Sequence, residues 1–181
     1  DIFKKLIEKG GVVRAIPAPK TSSEPRSFFD GYNNWAKDEG GKGLGYIILE
    51  KKDGELIGKG PIGKSFSGKA IGELVKICKL NENDSVFFSS DKIKEAERIS
   101  GIARQKLGRE LNLVDNNNFE FCWITDYPMY QYDEKEKRID FSHNPFSMPQ
   151  GEMDSLINID PLEIKAFQYD IVCNGCELSS G

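Results

Sequence analysis

The sequence predicts an α+β fold, a small sheet-and-helix sandwich followed by antiparallel strands. Three observations lead there. Over roughly the first two thirds, apolar residues at helical spacing alternate with short strand-like runs. A polar break, Asp115-Asn116-Asn117-Asn118, then interrupts the pattern and sets a boundary between domains at 1–115 and 116–181. Finally, Asn174-Gly175 separates two alternating runs, the strongest short signal for a two-residue hairpin.

Taken in order, Asp1 is placed to cap a short helix carrying Ile2, Phe3, Leu6 and Ile7, and Gly10-Gly11 ends it. Val12 to Ile16 reads as a strand stopped by Pro17 and Pro19. The stretch 21–25 is a helix entry, with Phe28, Phe29, Tyr32, Trp35 and Ala36 on the apolar face behind it and Gly40-Gly41 at its close. Tyr46 to Leu49 is a strand, turned by Asp53-Gly54 towards Leu56-Ile57. Ala70, Ile71, Leu74, Val75 and Cys78 mark a helix, and Val86 to Phe88 a strand. Ser90 or Asp91 is placed to cap a long helix with Ile93, Ala96, Ile99, Ala103, Leu107 and Leu111 on one side. This order fits one sheet with helices on one face. Past the break, residues 119–125 and 139–142 are strand-like and are joined through the charged turn at 133–138.

The last hairpin carries the most chemistry. With Asn174 and Gly175 at its tip, Cys173 faces Cys176, Val172 faces Glu177, Ile171 faces Leu178 and Asp170 faces Ser179. Alternation then gathers Asp170, Val172, Glu177 and Ser179 on one face and Ile171, Cys173, Cys176 and Leu178 on an apolar face suited to a core. Two carboxylates as diagonal neighbours on a stiff ribbon can share a hard cation. The plain alternative is an acidic, solvated hairpin.

Composition narrows the classes. The chain has 181 residues, 38% of them hydrophobic, enough for a core without staples. No run of about 18 apolar residues is present and the start lacks a secretory pattern, so a cytoplasmic protein away from membranes is expected. It also lacks an initiator Met, which suggests a piece excised from a longer chain. Four cysteines without zinc spacing fit reduced, buried thiols. Residues 1–115 hold 21 Lys and Arg against 17 Asp and Glu, while 116–181 hold 4 against 12, in keeping with the net −4. The front is too weakly basic to mark a nucleic-acid footprint, and the back is acidic, as cation sites are.

Three further features have two readings each. Residues 58–65 spell G-x-x-x-x-G-K-S, the phosphate-loop pattern, but only Leu56-Ile57 precedes them where a long buried strand is required, so a Gly-rich connector is favoured over a nucleotide hydrolase. His143, the sole histidine, lies in a loop with Pro145, Pro149 and Gly151, where Phe146 is expected as an anchor; it is either solvated or part of a flap over the acidic hairpin. Trp123, Asp126, Tyr127, Pro128 and Met129 read as a core aromatic followed by turn chemistry.

Together, FCWITDYPM at 121–129, SHNPFSMP at 142–149 and FQYDIVCNGCELSSG at 167–181 resemble, in order and spacing, the class II aminoacyl-tRNA synthetases of the bacterial aspartyl type. Residues 1–115 resemble their insertion, the GAD domain, through KGLGY at 42–46 and the 86–88 run, which makes 116–181 a partial class II catalytic domain. The resemblance implies that Glu177 binds ATP through magnesium with Asp170 as companion ligand, and that His143 senses aspartate and its adenylate. Members often carry a second histidine where Asn144 stands, and small glycine-like residues where Ser179 and Ser180 stand. The implied substrates and cofactors are ATP, Mg2+, L-aspartate and aspartate tRNA, with asparagine tRNA left open, in a homodimer. No covalent nucleophile is implied. The family's ATP-clamping arginine motif, its third motif and its anticodon barrel are missing, so the chain alone is expected to be inactive. A tRNA-contacting or scaffold module without catalysis is the competing reading.

Overall fold

The computed structural model describes residues 2–181, so Asp1, expected as a helix cap, lies outside the described residues. The chain divides into two compact units, one ending at Val114 and the other spanning Asp115–Gly181. The first is built on helix α1 (Ile2–Ile7), strand β1 (Val12–Ala18), α2 (Arg26–Asp38), β2 (Gly45–Lys52), β3 (Glu55–Lys59), α3 (Gly68–Cys78), β4 (Ser85–Asp91) and α4 (Ile93–Glu110). Its strands form one antiparallel sheet in the order β1-β4-β2-β3.

Helices cover both faces of this sheet, not one as the sequence reading has it. The reason lies in the two central strands. Val86-Phe87-Phe88 and Tyr46-Ile47-Ile48-Leu49 are continuous apolar runs, so side-chain alternation sends apolar groups to both sides. Tyr46 and Phe87, opposite each other in register, join Phe29, Tyr32 and Ala36 of α2 and Ile99, Ala103 and Leu107 of α4. Ile47, Leu49, Val86 and Phe88 join Ile71 of α3 on the other side, with Phe3 of α1 packed against them.

Edges and turns follow from local chemistry. Strand β1 continues through Pro17, which pairs with Val86; an edge strand tolerates a residue without an N–H. Asp53 and Gly54, with φ of 51° and 87°, form the two-residue turn between β2 and β3. The phosphate-loop lookalike is instead the end of β3 and a 3-10 turn at Gly63–Ser65. A Cβ on Gly63 would stand 2.5 Å from the Gly58 carbonyl oxygen, so this glycine permits a tight fold-back of the chain. Ser67 caps α3, its Oγ accepting from Ala70 N at 3.3 Å. Helix α4 has no side-chain cap. The Asp91 carboxylate expected there accepts from Lys92 N at 2.8 Å and Lys42 Nζ at 2.6 Å, and the Lys42 bond above all holds it below the usual carboxylate range.

The second unit contains β5 (Phe121–Ile124), β6 (Tyr130–Asp133), β7 (Arg138–Phe141), α5 (Glu152–Asn158), β8 (Asp170–Cys173) and β9 (Cys176–Ser180). Strands β5, β8 and β9 form one sheet in the order β5-β8-β9, and β6 pairs with β7 alone. The charged turn therefore joins β6 to β7, and the run at 119–125 pairs elsewhere. Strand β6 escaped the sequence reading because Tyr130-Gln131-Tyr132-Asp133 is short and half polar. Trp123 is 61% exposed and not a core residue; it meets Tyr169 edge-on at 5.6 Å. The buried cluster of this unit is small, formed by Met129, Ile164 and Ala166 with Tyr130 against it.

Phe87 is fully buried and lies 5.0 Å from Tyr32 and 5.7 Å from Phe29, centroid to centroid. Phe87→Ala should cost about 3–5 kcal/mol, measured by urea unfolding. Hydrogen exchange should find the slowest amides in β2, β4 and α4, with β8 and β9 opening first, because few buried apolar contacts support the latter. Slower exchange at β8 than in α4 would contradict that.

Candidate functional site

Asn174 and Gly175 both have positive φ, 50° and 80°, as a primed two-residue turn requires. Cys173 pairs with Cys176 and Val172 with Glu177, as the sequence predicts. Asn174 also ties this turn to the chain entering β5. Its backbone N donates to Glu120 O at 3.0 Å, its Nδ2 donates to Asn118 O at 2.9 Å, and its Oδ1 accepts from Glu120 N at 2.9 Å.

Beyond Val172 the register shifts. Ile171 pairs with Ser179 and Asp170 with Ser180, which leaves Leu178 as the extra residue of a β-bulge. Ser180, not Ser179, therefore stands across from Asp170. The expected apolar core face is also broken up: Cys173 is buried, Cys176 is exposed and Leu178 is 57% exposed. The four cysteines are free thiols.

Asp170 is only 8% exposed. Its Oδ2 accepts a hydrogen bond from the Tyr127 hydroxyl, while its Oδ1 is buried with no partner among the described residues. The bond to Asp170 pushes the Tyr127 phenol up to about 12, helped by burial and by the negative charges of Asp170 and Glu177. The His143 ring meets the Tyr127 ring edge-on, 4.8 Å between centroids and 83° between planes. Asp170 and His143 thus share one neighbour, Tyr127, and the charge of Glu177 acts on the same hydroxyl. The sequence reading assigned that residue to turn chemistry. The pairing of β5 with β8, which brings the end of the TDYP stretch to Asp170, is not readable from one sequence.

The His143 loop is tied at both ends. Ser142 N donates to Met129 O at 2.9 Å, and Gln150 N donates to Lys165 O at 2.7 Å. Within it, Asn144 Oδ1 accepts from Phe146 N, Ser147 N and Ser147 Oγ, each at 3.0 Å, so the asparagine shapes the loop. Phe146 does not anchor it, being 92% exposed.

The donor set bears on metal binding. Among the described residues there is no group of three or more His, Cys, Asp or Glu that could enclose an ion. Two carboxylates suffice for Mg2+, which takes one or two of them and completes its shell with water and phosphate oxygens. A buried carboxylate oxygen without a hydrogen bond is the feature such an ion would satisfy. Asp170 offers such an oxygen, while Glu177, on the paired strand, is exposed. No helix among the described residues is long and apolar enough to cross a membrane.

Comparison with known proteins adds the lineage. The GAD domain family matches residues 3–100, more than half of the chain. The chain belongs to that family. The aspartate–tRNA(Asp/Asn) ligase of Beijerinckia indica is 53% identical over 99% of this GAD-domain chain, and that of Methylobacterium nodulans 54% over 99%. The ligase of the same name from Wolbachia pipientis is 56% identical over the full length of this chain. The chain spans about 30% of the length of these curated relatives. Asp170, Glu177, His143 and Tyr127 all lie beyond the GAD match, in the second unit.

A raised phenol pKa means that the donor bond is intact below the ordinary tyrosine value of 10 and is lost as pH rises through about 12. Tyr127 should therefore keep its proton past pH 10 in a tyrosine carbon NMR titration, with the resonance assigned through Tyr127→Phe. Asp170→Asn should return it towards 10.

Proposed function

We propose that this chain is part of an aspartate–tRNA ligase, a GAD domain followed by strands of a class II catalytic domain. The observation that carries the reading is the meeting of Asp170 and His143 on Tyr127, with Glu177 on the paired strand, in a chain about half identical to ligases of that name. The shared hairpin face suits an ATP–metal site, and the histidine beside it suits an amino-acid site.

The reaction runs in two steps. An oxygen of the aspartate α-carboxylate attacks the α-phosphorus of ATP. The bond to the β-phosphate breaks, giving aspartyl-adenylate and pyrophosphate. A hydroxyl of the terminal adenosine of tRNA then attacks the acyl carbonyl, and AMP leaves with the adenylate's bonding electrons. Bound Mg2+ supplies charge neutralisation on the phosphates. Asp170 and Glu177 would hold it, Glu177 also serving ATP, and His143 would contact aspartate. The name of the relatives, aspartate–tRNA(Asp/Asn) ligase, supports tRNA(Asp) as partner and extends the reading to tRNA(Asn). A cytoplasmic homodimer accords with the class.

The chain alone should show no aspartate-dependent exchange of pyrophosphate into ATP, since no arginine-bearing ATP clamp is found in its sequence. In the full-length ligase, Glu177→Ala should lower kcat/KM for ATP about a hundredfold or more, the scale of losing one preorganised electrostatic group. His143→Ala should raise the KM for aspartate and leave that for ATP nearly unchanged. Near-normal turnover in the first variant, or an effect on ATP alone in the second, would overturn these assignments.

A further inference from the structure

We propose that Tyr127 is a positioning residue shared by the two substrate sites: its hydroxyl holds Asp170 in the orientation that receives the cation, and its ring seats His143. The inference rests on the ligase reading above and assigns a role to a residue outside the expected site.

The argument starts from the carboxylate. Asp170 has two oxygens in a buried setting, and an unsatisfied buried oxygen is costly. The Tyr127 hydroxyl occupies Oδ2, so Oδ1 remains as the single oxygen without a partner. A carboxylate bonded on one side cannot turn freely, and its open oxygen points in one direction. Groups that hydrogen-bond a metal-ligating carboxylate commonly govern its affinity for the ion.

Tyr127 is itself firmly placed. Its carbonyl accepts from Ala166 N at 2.7 Å, and Pro128 beside it bridges to Lys165. The preceding Asp126 takes a left-handed conformation, φ 60°, and its Oδ1 accepts from Gln150 Nε2 at 2.9 Å. Gln150 sits at the far end of the His143 loop and also donates to Ala166 O at 3.1 Å. The turn that aims Tyr127 and the loop that carries His143 are therefore bonded to the same short segment. The ring contact with His143 needs only an aromatic group, whereas the bond to Asp170 needs the hydroxyl. Phenylalanine would keep the first and lose the second. That separates the two roles experimentally.

The test uses the full-length ligase in four forms: wild type, Tyr127→Phe, Asp170→Asn and the double variant. ATP binding is measured by calorimetry across a Mg2+ series, and aspartate KM by initial rates. Tyr127→Phe should raise the Mg2+ concentration for half-maximal ATP binding by about tenfold or more, with aspartate KM within about twofold of wild type. The double variant should be no worse than Asp170→Asn, because a residue acting through Asp170 has nothing to position once that carboxylate is gone. Tyr127→Leu should raise aspartate KM as well, since the ring is lost. A Mg2+ requirement unchanged in Tyr127→Phe would overturn the inference. Losses that add in the double variant, with a lowered melting temperature, would also overturn it, marking a general structural role. A wild-type protein without aspartate-dependent pyrophosphate exchange would instead overturn the ligase reading beneath it.

Discussion

Two successive residues in the left-handed region, Asn174 and Gly175, set the geometry of the second unit. Their twist matches that of paired strands, so Val172 must face Glu177 and the acidic residue cannot slide out of register without breaking the turn. Asn174 then spends its side chain on the chain entering β5, so the turn also sets where that strand starts. Strand β5 in turn runs antiparallel to β8, with Ile124 opposite Asp170, and it leads straight to Tyr127. Substituting either turn residue would disturb three strands at once.

The two units hold their elements by different means. In the first, apolar side chains fill both sides of a four-stranded sheet, and the aromatic layer of Phe28, Phe29, Tyr32, Tyr46 and Phe87 interlocks through tilted and stacked pairs. In the second, hydrogen bonds at specific positions carry more of the order: Asn174 to 118 and 120, Gln150 to 126 and 166, and Asn144 within its own loop. Such bonds are directional, and direction is what a binding site needs from its frame.

Much of this was legible in the sequence where local chemistry decides. Asn-Gly and Asp-Gly mark their turns because few residues accept two positive φ values. The helices from Arg26, Gly68 and Ile93 follow from apolar spacing. The second layer of helices is also written there, in the unbroken apolar runs of β2 and β4, whose side chains alternate to both faces and need cover on each. The β-bulge at Leu178 was not legible, because one extra residue in a strand leaves no compositional trace. Tyr127 was hidden for a stronger reason. Its partner is 43 residues away, and only the pairing of β5 with β8 brings the two together.

The choice of a tyrosine beside Asp170 has an electrostatic consequence. Residues 116–181 carry 4 basic side chains against 12 acidic ones, and among the described residues no Lys or Arg pairs with Asp170 or Glu177. The one ion pair in the second unit, Arg138 with Asp140, is on the β7 strand. An arginine next to Asp170 would satisfy its oxygens equally well, but its charge would cancel the attraction that a divalent cation feels and would compete for the same lone pairs. A phenol donates a hydrogen bond without bringing a positive charge. It therefore leaves the carboxylate's full charge available, and the bond to Asp170, aided by burial and by the negative charges of Asp170 and Glu177, is why that hydroxyl holds its proton above the ordinary range. A neutral donor on one oxygen leaves the other, which has no partner among the described residues, able to meet the cation of the proposed site with its charge undiminished.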